Sequence, residues 1–134
     1  MPIKTLFLGS NWEALATFKK LSEDGRFELV ALITQPDKPT GRKKIIEPSE
    51  IKQYAISKGI PVFHTNNSPE KYQEALDKFK PDLLVCKSFG ELIPKFFLKA
   101  PKFKAINVHF SLLPKYRGAV PIQMAIALSR LGPK

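Results

Sequence analysis

The sequence predicts an α/β fold: a doubly wound, Rossmann-like parallel sheet with helices on both faces. Short apolar runs alternate with segments of helical periodicity, which is typical of such folds. The runs are apolar throughout, as in strands that are buried on both faces. Twelve prolines punctuate the chain between these segments. By analogy with other doubly wound folds, we expect five parallel strands in the spatial order 3-2-1-4-5.

The predicted elements follow one another without internal repeats or an evident domain linker. The five strands are expected at residues 3–9, 27–34, 61–63, 83–87 and 105–110. The first helix should follow Ser10, whose spacing to Glu13 is that of a capping box. Pro48 suits the first position of a second helix that ends near Gly59. Further helices are expected from 68, over 94–99 and over 121–130, and a loop is expected over 36–46.

The totals describe one ordinary globular domain. The chain has 134 residues, 43% of them hydrophobic and 25% charged, and no apolar run approaches the ~20 residues that cross a bilayer. Cys86 is the single cysteine and cannot form an internal disulfide, which is consistent with a cytoplasmic protein. Its place in an apolar run predicts a buried core residue. The net charge of +10 indicates an anionic partner or a solvated surface, and leaves both open.

The fifth predicted strand carries two polar residues whose presence in an otherwise apolar strand has to be explained. Asn107 and His109 are two positions apart, so both should point to one face, while Ile106, Val108 and Phe110 point to the other. An unpaired polar group that is buried costs on the order of 1–3 kcal/mol. The pattern alone leaves two interpretations: a satisfied core histidine with a loop-holding asparagine, or a catalytic pair.

The surrounding motifs resemble those of a known family. The stretch NVHFSLLPKYRGAVPIQ is similar to the active-site signature of folate-dependent formyltransferases, and SFGELIP (residues 88–94) resembles the segment that lines their folate pocket. ITQPDKPTGRKK (residues 33–44) resembles a loop of the methionyl-tRNA formyltransferases. The chain departs from the family pattern at two places. Ser10-Asn11-Trp12-Glu13 stands where the family usually has Thr-Pro-x-Phe, and GRKKI lacks the further glycine that usually precedes the two lysines. Both departures leave open which amine accepts the formyl group.

The resemblance implies a reaction and a site. The formyl donor would be 10-formyltetrahydrofolate, Asn107 would donate to the oxyanion, and His109 would exchange a proton. The implied folate contacts are Phe89, Gly90, Leu92, Ile93, Pro94, Ser111, Leu112, Leu113 and Pro114. The implied RNA contacts are Lys38, Arg42, Lys43 and Lys44, and the implied partner is initiator methionyl-tRNA. No metal is implied, because no Cys/His cluster has ligand spacing. His64 is expected to be structural or at the surface.

Three functions stay open on the sequence. The first is formylation of methionyl-tRNA, the second is formylation of a sugar amine or another small amine, and the third is a non-catalytic folate- or RNA-binding remnant. The family's orienting Asp and its C-terminal tRNA-binding domain would lie beyond residue 134, so residues 1–134 are expected to form a partial formyltransferase domain. By themselves they are expected not to formylate methionyl-tRNA at a useful rate.

Overall fold

A computed structural model describes residues 1–40 and 45–108, with side chains except at 38–40 and 45–46. The strands, in chain order, are β1 (Ile3–Gly9), β2 (Phe27–Ile33), β3 (Lys38–Thr40), β4 (Ile45–Glu47), β5 (Val62–Phe63), β6 (Leu83–Lys87) and β7 (Ala105–Asn107). The helices are α1 (Trp12–Glu23), α2 (Glu50–Ser57), α3 (Pro69–Phe79) and α4 (Lys95–Lys99). The final predicted helix, at 121–130, lies outside the described residues.

The main sheet has the order β5-β2-β1-β6-β7, and each neighbouring pair is parallel. This confirms the predicted fold class and the predicted order of five strands. The central strand β1 is buried from Thr5 to Gly9, and β6 is buried throughout. Continuous burial of this kind requires cover on both faces, which the helices supply.

Two apolar layers enclose the sheet. On one face, Phe7 and Val85 pack with residues of α1 and α2, among them Phe18. On the other, Leu84 packs with Tyr72 of α3 and with residues of α4. Aromatic pairs contribute to each layer. The rings of Phe7 and Phe18 meet edge-on at 5.1 Å, and those of Tyr72 and Phe97 at 4.9 Å; each such pair adds about 0.5–1.5 kcal/mol beyond its buried area.

Two predicted helix starts were wrong. Asn11, not Ser10, caps α1, because its side-chain oxygen accepts a hydrogen bond from the backbone N–H of Ala14 at 3.0 Å. Ser49 caps α2 in the same way through the N–H of Lys52, so Pro48 precedes the helix and is not its first residue. The start of α3 was predicted correctly, with Ser68 as its cap.

The segment predicted as a loop at 36–46 contains regular structure. Strands β3 and β4 pair antiparallel, with Lys38 opposite Glu47 and Thr40 opposite Ile45. Pro39 has no N–H to donate, and a two-stranded ribbon with an outer edge tolerates it there. Pro39, one of the residues that predicted a loop, is therefore compatible with this ribbon, and the local sequence gave no sign that the two strands would pair.

Candidate functional site

The carboxyl ends of the main strands lie along one edge of the sheet, called here the carboxyl edge. Gly9 is the last residue of β1, and the surrounding atoms leave no room for a side chain at this position. A Cβ atom on Gly9 would lie 2.6 Å from the Cβ of Ala14 and 2.7 Å from the carbonyl oxygen of Lys87. The absence of a side chain at Gly9 therefore lets α1 and the end of β6 approach the end of β1 closely.

Ser10 connects three of the segments that leave this edge. Its backbone N–H donates to the carbonyl of Ser88 at 3.2 Å, and its hydroxyl donates to the carbonyl of Phe89 at 3.3 Å. The same hydroxyl accepts from the backbone N–H of Gln35 at 3.2 Å. These tertiary bonds occupy the side chain that was predicted to cap α1, and they hold the segments after β1, β2 and β6 together.

The segment after β6, residues 88–94, is the pocket loop. It turns sharply, since both Ser88 (φ +52°) and Gly90 (φ +91°) have left-handed backbone. Gly90 lies against the side chain of Gln35, where an added Cβ would be 3.0 Å from Nε2. Its predicted folate residues differ in placement: Phe89 is buried in the apolar layer next to α3 and α4, whereas Leu92 is 91% exposed.

A pocket of about 670 Å³ lies beside this loop at the carboxyl edge. That volume is in the range of small-molecule sites. Four of the predicted folate residues line it, namely Phe89, Gly90, Leu92 and Ile93. Pro94 ends the loop and directly precedes the short helix α4, without a side-chain hydrogen bond to it. The remaining predicted folate residues, Ser111 to Pro114, lie outside the described residues.

Asn107 lines the same pocket from β7. It is exposed, whereas its neighbours Ile106 and Val108 are 6% and 1% exposed and belong to the apolar layer under α1 and α2. The strand is fixed in register by pairing of Asn107 with Cys86 and by a 2.9 Å bond from the N–H of Val108 to the carbonyl of Cys86. The carboxamide of Asn107 carries both hydrogen-bond donors and an acceptor. His109 lies outside the described residues.

Sequence reasoning missed a buried lysine at the pocket. Lys87 ends β6, lines the pocket and is 6% exposed, and its ammonium lies 3.9 Å from a carboxylate oxygen of Glu13 in α1. Burial lowers the pKa of Lys87, and the charge of Glu13 opposes this in part. Only tertiary structure joins these residues, which are 74 positions apart in the chain.

The neighbouring Cys86 is a core residue as predicted, and burial raises the pKa of its thiol to about 12.

Sequence reasoning also missed Glu91. This residue lines the pocket between two predicted folate residues, and one oxygen of its carboxylate accepts hydrogen bonds from Thr65, Asn67 and Tyr72. Burial raises the pKa of the Tyr72 hydroxyl above its ordinary value. A glutamate within the apolar motif SFGELIP is typical of an exposed position, so the local sequence did not predict these contacts.

A second cavity, of about 340 Å³, lies beside the segment that precedes the antiparallel ribbon. Asp37 lines it and forms an ion pair with Lys52 of α2 at 3.0 Å. Of the predicted RNA contacts, Lys38 begins β3 and lies directly after Asp37. Arg42, Lys43 and Lys44 lie outside the described residues.

Other expectations concern metals, membranes and His64. Within residues 1–40 and 45–108, no group of three His, Cys, Asp or Glu side chains is arranged to hold a metal ion. None of the helices in the described part of the chain has the length and apolar character to cross a membrane. His64 is partly buried, and its Nδ1 lies 2.8 Å from the carbonyl oxygen of Thr34, next to where β2 and β5 end.

These features define a doubly wound α/β domain with a pocket at the carboxyl ends of two adjacent strands, the end of the sheet at which ligands bind in such folds. The sequence matches the Formyl transferase family over residues 3–129, and the chain belongs to that family.

Relatives of known sequence agree with this assignment. The methionyl-tRNA formyltransferase of Geobacillus sp. (strain WCH70) is 46% identical over 125 residues, a match that covers 92% of this chain and 39% of the relative. That of Bacillus cereus (strain B4264) is 44% identical over 126 residues, covering 92% and 40%. The chain thus spans about two fifths of the length of these relatives.

Solved structures share the fold. Glycinamide ribonucleotide transformylase 1 from Geobacillus kaustophilus superposes with a TM-score of 0.57 at 20% identity, covering 93% of this chain and 68% of that protein. A formyltetrahydrofolate deformylase from Pseudomonas syringae pv. tomato str. DC3000 gives 0.56 at 16% identity, covering 95% and 42%. At these identities the likeness supports the α/β architecture and nothing finer.

Proposed function

We propose that this chain is the folate-binding, catalytic domain of an enzyme that transfers a formyl group from 10-formyltetrahydrofolate to the amino group of initiator methionyl-tRNA. The observation that carries the proposal is the position of Asn107, whose side chain lines one pocket together with the loop 88–94. Family membership and the two relatives named methionyl-tRNA formyltransferase support the choice of reaction.

The chemistry needs an oxyanion donor and a proton carrier. When the amine attacks the formyl carbon, the carbonyl oxygen gains negative charge, and the Asn107 amide N–H is the proposed donor to it. A preorganised donor of this kind is worth about 2.7–4 kcal/mol. His109, two residues on, is proposed to take the proton of the attacking amine and return it to the leaving nitrogen of the folate, help that contributes about 10²–10⁴-fold.

The donor is proposed to bind along the pocket loop. Gly90, Leu92 and Ile93 line the pocket together with Asn107, and the proposed contacts also include Phe89, Pro94 and Ser111 to Pro114. The tRNA is proposed to contact Lys38, Arg42, Lys43 and Lys44, which follow β2 in the chain. Such contacts are mainly electrostatic and weaken with salt.

Two measurements test the proposal. Isothermal titration of the chain with 5-formyltetrahydrofolate, a stable folate, should show one site. Formyl transfer should be followed in single turnover with charged initiator tRNA, using the chain alone and the chain joined to the remaining part of the Geobacillus relative. Faster transfer to a free amino sugar than to the tRNA would instead support the small-amine acceptor, and folate binding without any transfer would support a binding module.

A further inference from the structure

Glu91 joins the pocket loop to the start of α3 and to the connection that precedes this helix. Its Oε1 accepts hydrogen bonds from the hydroxyls of Thr65 and Tyr72, each at 2.8 Å, and from the backbone N–H of Asn67 at 3.0 Å. Thr65 and Asn67 belong to the connection between β5 and α3, and Tyr72 to the first turn of α3. A single oxygen therefore ties three groups of that region to the pocket loop.

The donors are built around this oxygen. Thr65 and Tyr72 are both 0% exposed, so each hydroxyl depends on a protein partner for its hydrogen bond. Asn66 (φ +48°) and Asn67 (φ +58°) are both left-handed, a conformation that asparagine tolerates better than most residues. The connection thus adopts an unusual backbone where the N–H of Asn67 donates to Glu91.

The pocket loop needs such an anchor. Ser88 and Gly90 are both left-handed, and Ser10 holds only the start of the loop, through the carbonyls of Ser88 and Phe89. Beyond Gly90, Leu92 is 91% exposed and contributes little packing. The three bonds to Glu91 hold the middle of the loop, at the wall of the pocket.

We propose that Glu91 is a positioning residue, which holds the loop 88–94 in the conformation that receives the folate. This rests on the proposed function, because it assigns a role at the same pocket. A loop that is fixed before binding avoids the entropic cost of ordering when the ligand arrives. Glu91 thereby acts on the affinity for the folate, and it acts through the loop rather than on the transferred group.

The test compares two variants of the full chain with a matched control. Glu91→Gln keeps an acceptor oxygen for the three donors, Glu91→Ala removes it, and Glu70→Ala removes an exposed carboxylate of the same α3 region. We expect the Kd for 5-formyltetrahydrofolate to rise at least about tenfold in Glu91→Ala, and to stay within about threefold in Glu91→Gln and in the control. In the chain joined to the remaining part of the Geobacillus relative, single-turnover transfer to charged initiator tRNA at saturating 10-formyltetrahydrofolate should be as fast with Glu91→Ala as without it.

Hydrogen exchange of the backbone amides at 88–94 gives a readout that needs no folate. It should accelerate in Glu91→Ala, and also in Tyr72→Phe, which removes one donor with little change of shape. Unchanged exchange and affinity in folded Glu91→Ala, or a Glu91→Gln variant as weak as Glu91→Ala, would overturn the positioning role. If the unsubstituted chain binds no folate, the proposed function fails, whereas the exchange result still decides whether Glu91 holds the loop.

Discussion

The ammonium of Lys87 lies 3.9 Å from the carboxylate of Glu13, and the lysine side chain is only 7% exposed. A charge in this position is costly to bury, and Glu13 offsets part of the cost. The pair lies at the carboxyl edge, beside the pocket that Asn107 lines. Stability and pH should therefore be coupled at this point of the fold.

Replacing Lys87 by Met should remove a pH dependence of stability. The pKa of Lys87 is lowered below its ordinary value of 10.5 in the folded chain. Between that lowered pKa and 10.5 the unfolded chain binds more protons, so the free energy of unfolding rises with pH through this window. Urea denaturation from neutral pH to pH 10.5 should show the rise in the unsubstituted chain and less of it in Lys87→Met.

At neutral pH the two members of the pair should behave differently. Lys87→Met should be close to neutral, because it removes the cost of burying the ammonium, while the Glu13 carboxylate that loses its partner is one third exposed and stays solvated. Glu13→Gln should destabilise by about 1 kcal/mol, since Glu13 is partly exposed and the charge it balances stays buried. A loss of more than about 1 kcal/mol in Lys87→Met would contradict this account.

Gly9→Ala should destabilise the fold. The new Cβ would lie 2.6 Å from the Cβ of Ala14 and 2.7 Å from a backbone oxygen, so strands or helix must shift, at a cost of about 1–3 kcal/mol. Gly25→Ala is the matched control, because no heavy atom lies within 4 Å of its added Cβ. Thermal denaturation of both variants measures the difference, and equal midpoints would show that the edge accommodates a side chain at Gly9.

Asn107→Ala should slow formyl transfer by about 10²–10³-fold, the usual effect of losing one oxyanion donor. The Kd for 5-formyltetrahydrofolate should change by less than about threefold, because the donor acts on charge that develops during the reaction. Single-turnover rates in the chain joined to the rest of the relative provide the measurement, with the exposed amide variant Gln73→Ala as control. A loss under about tenfold would indicate a structural role for Asn107.

Reversing Arg42 and Lys43 to Glu should weaken the binding of initiator tRNA and flatten its salt dependence. Each lost phosphate contact reduces the slope of log K against log salt by about 0.7–0.9. Lys20→Glu with Lys78→Glu is the control of equal charge, because those residues lie in the last turns of α1 and α3, away from the carboxyl edge. Filter binding over a salt series measures tRNA affinity for both double variants. If the two variants lose the same affinity, net charge alone attracts the tRNA.

Much of the fold could be predicted from the sequence because its determinants are local and periodic. Continuous apolar runs mark strands that are buried on both faces, as β6 shows. The period of two along β7 correctly separated exposed Asn107 from buried Ile106 and Val108. Connection rules allow only a few strand orders for parallel strands joined by helices, and the predicted order is the one observed.

Tertiary structure decided which polar groups become partners, and a local pattern cannot decide this. Ser10 had the spacing of a helix cap, but its hydroxyl bonds to Phe89 and Gln35, and Asn11 caps α1 instead. The strands bring Lys87 to Glu13, and the packing of α3 beside the pocket loop brings Tyr72 to Glu91. A hydrogen bond or ion pair depends on a few ångströms of separation. That separation is set by the packed sheet and helices rather than by neighbours in the chain.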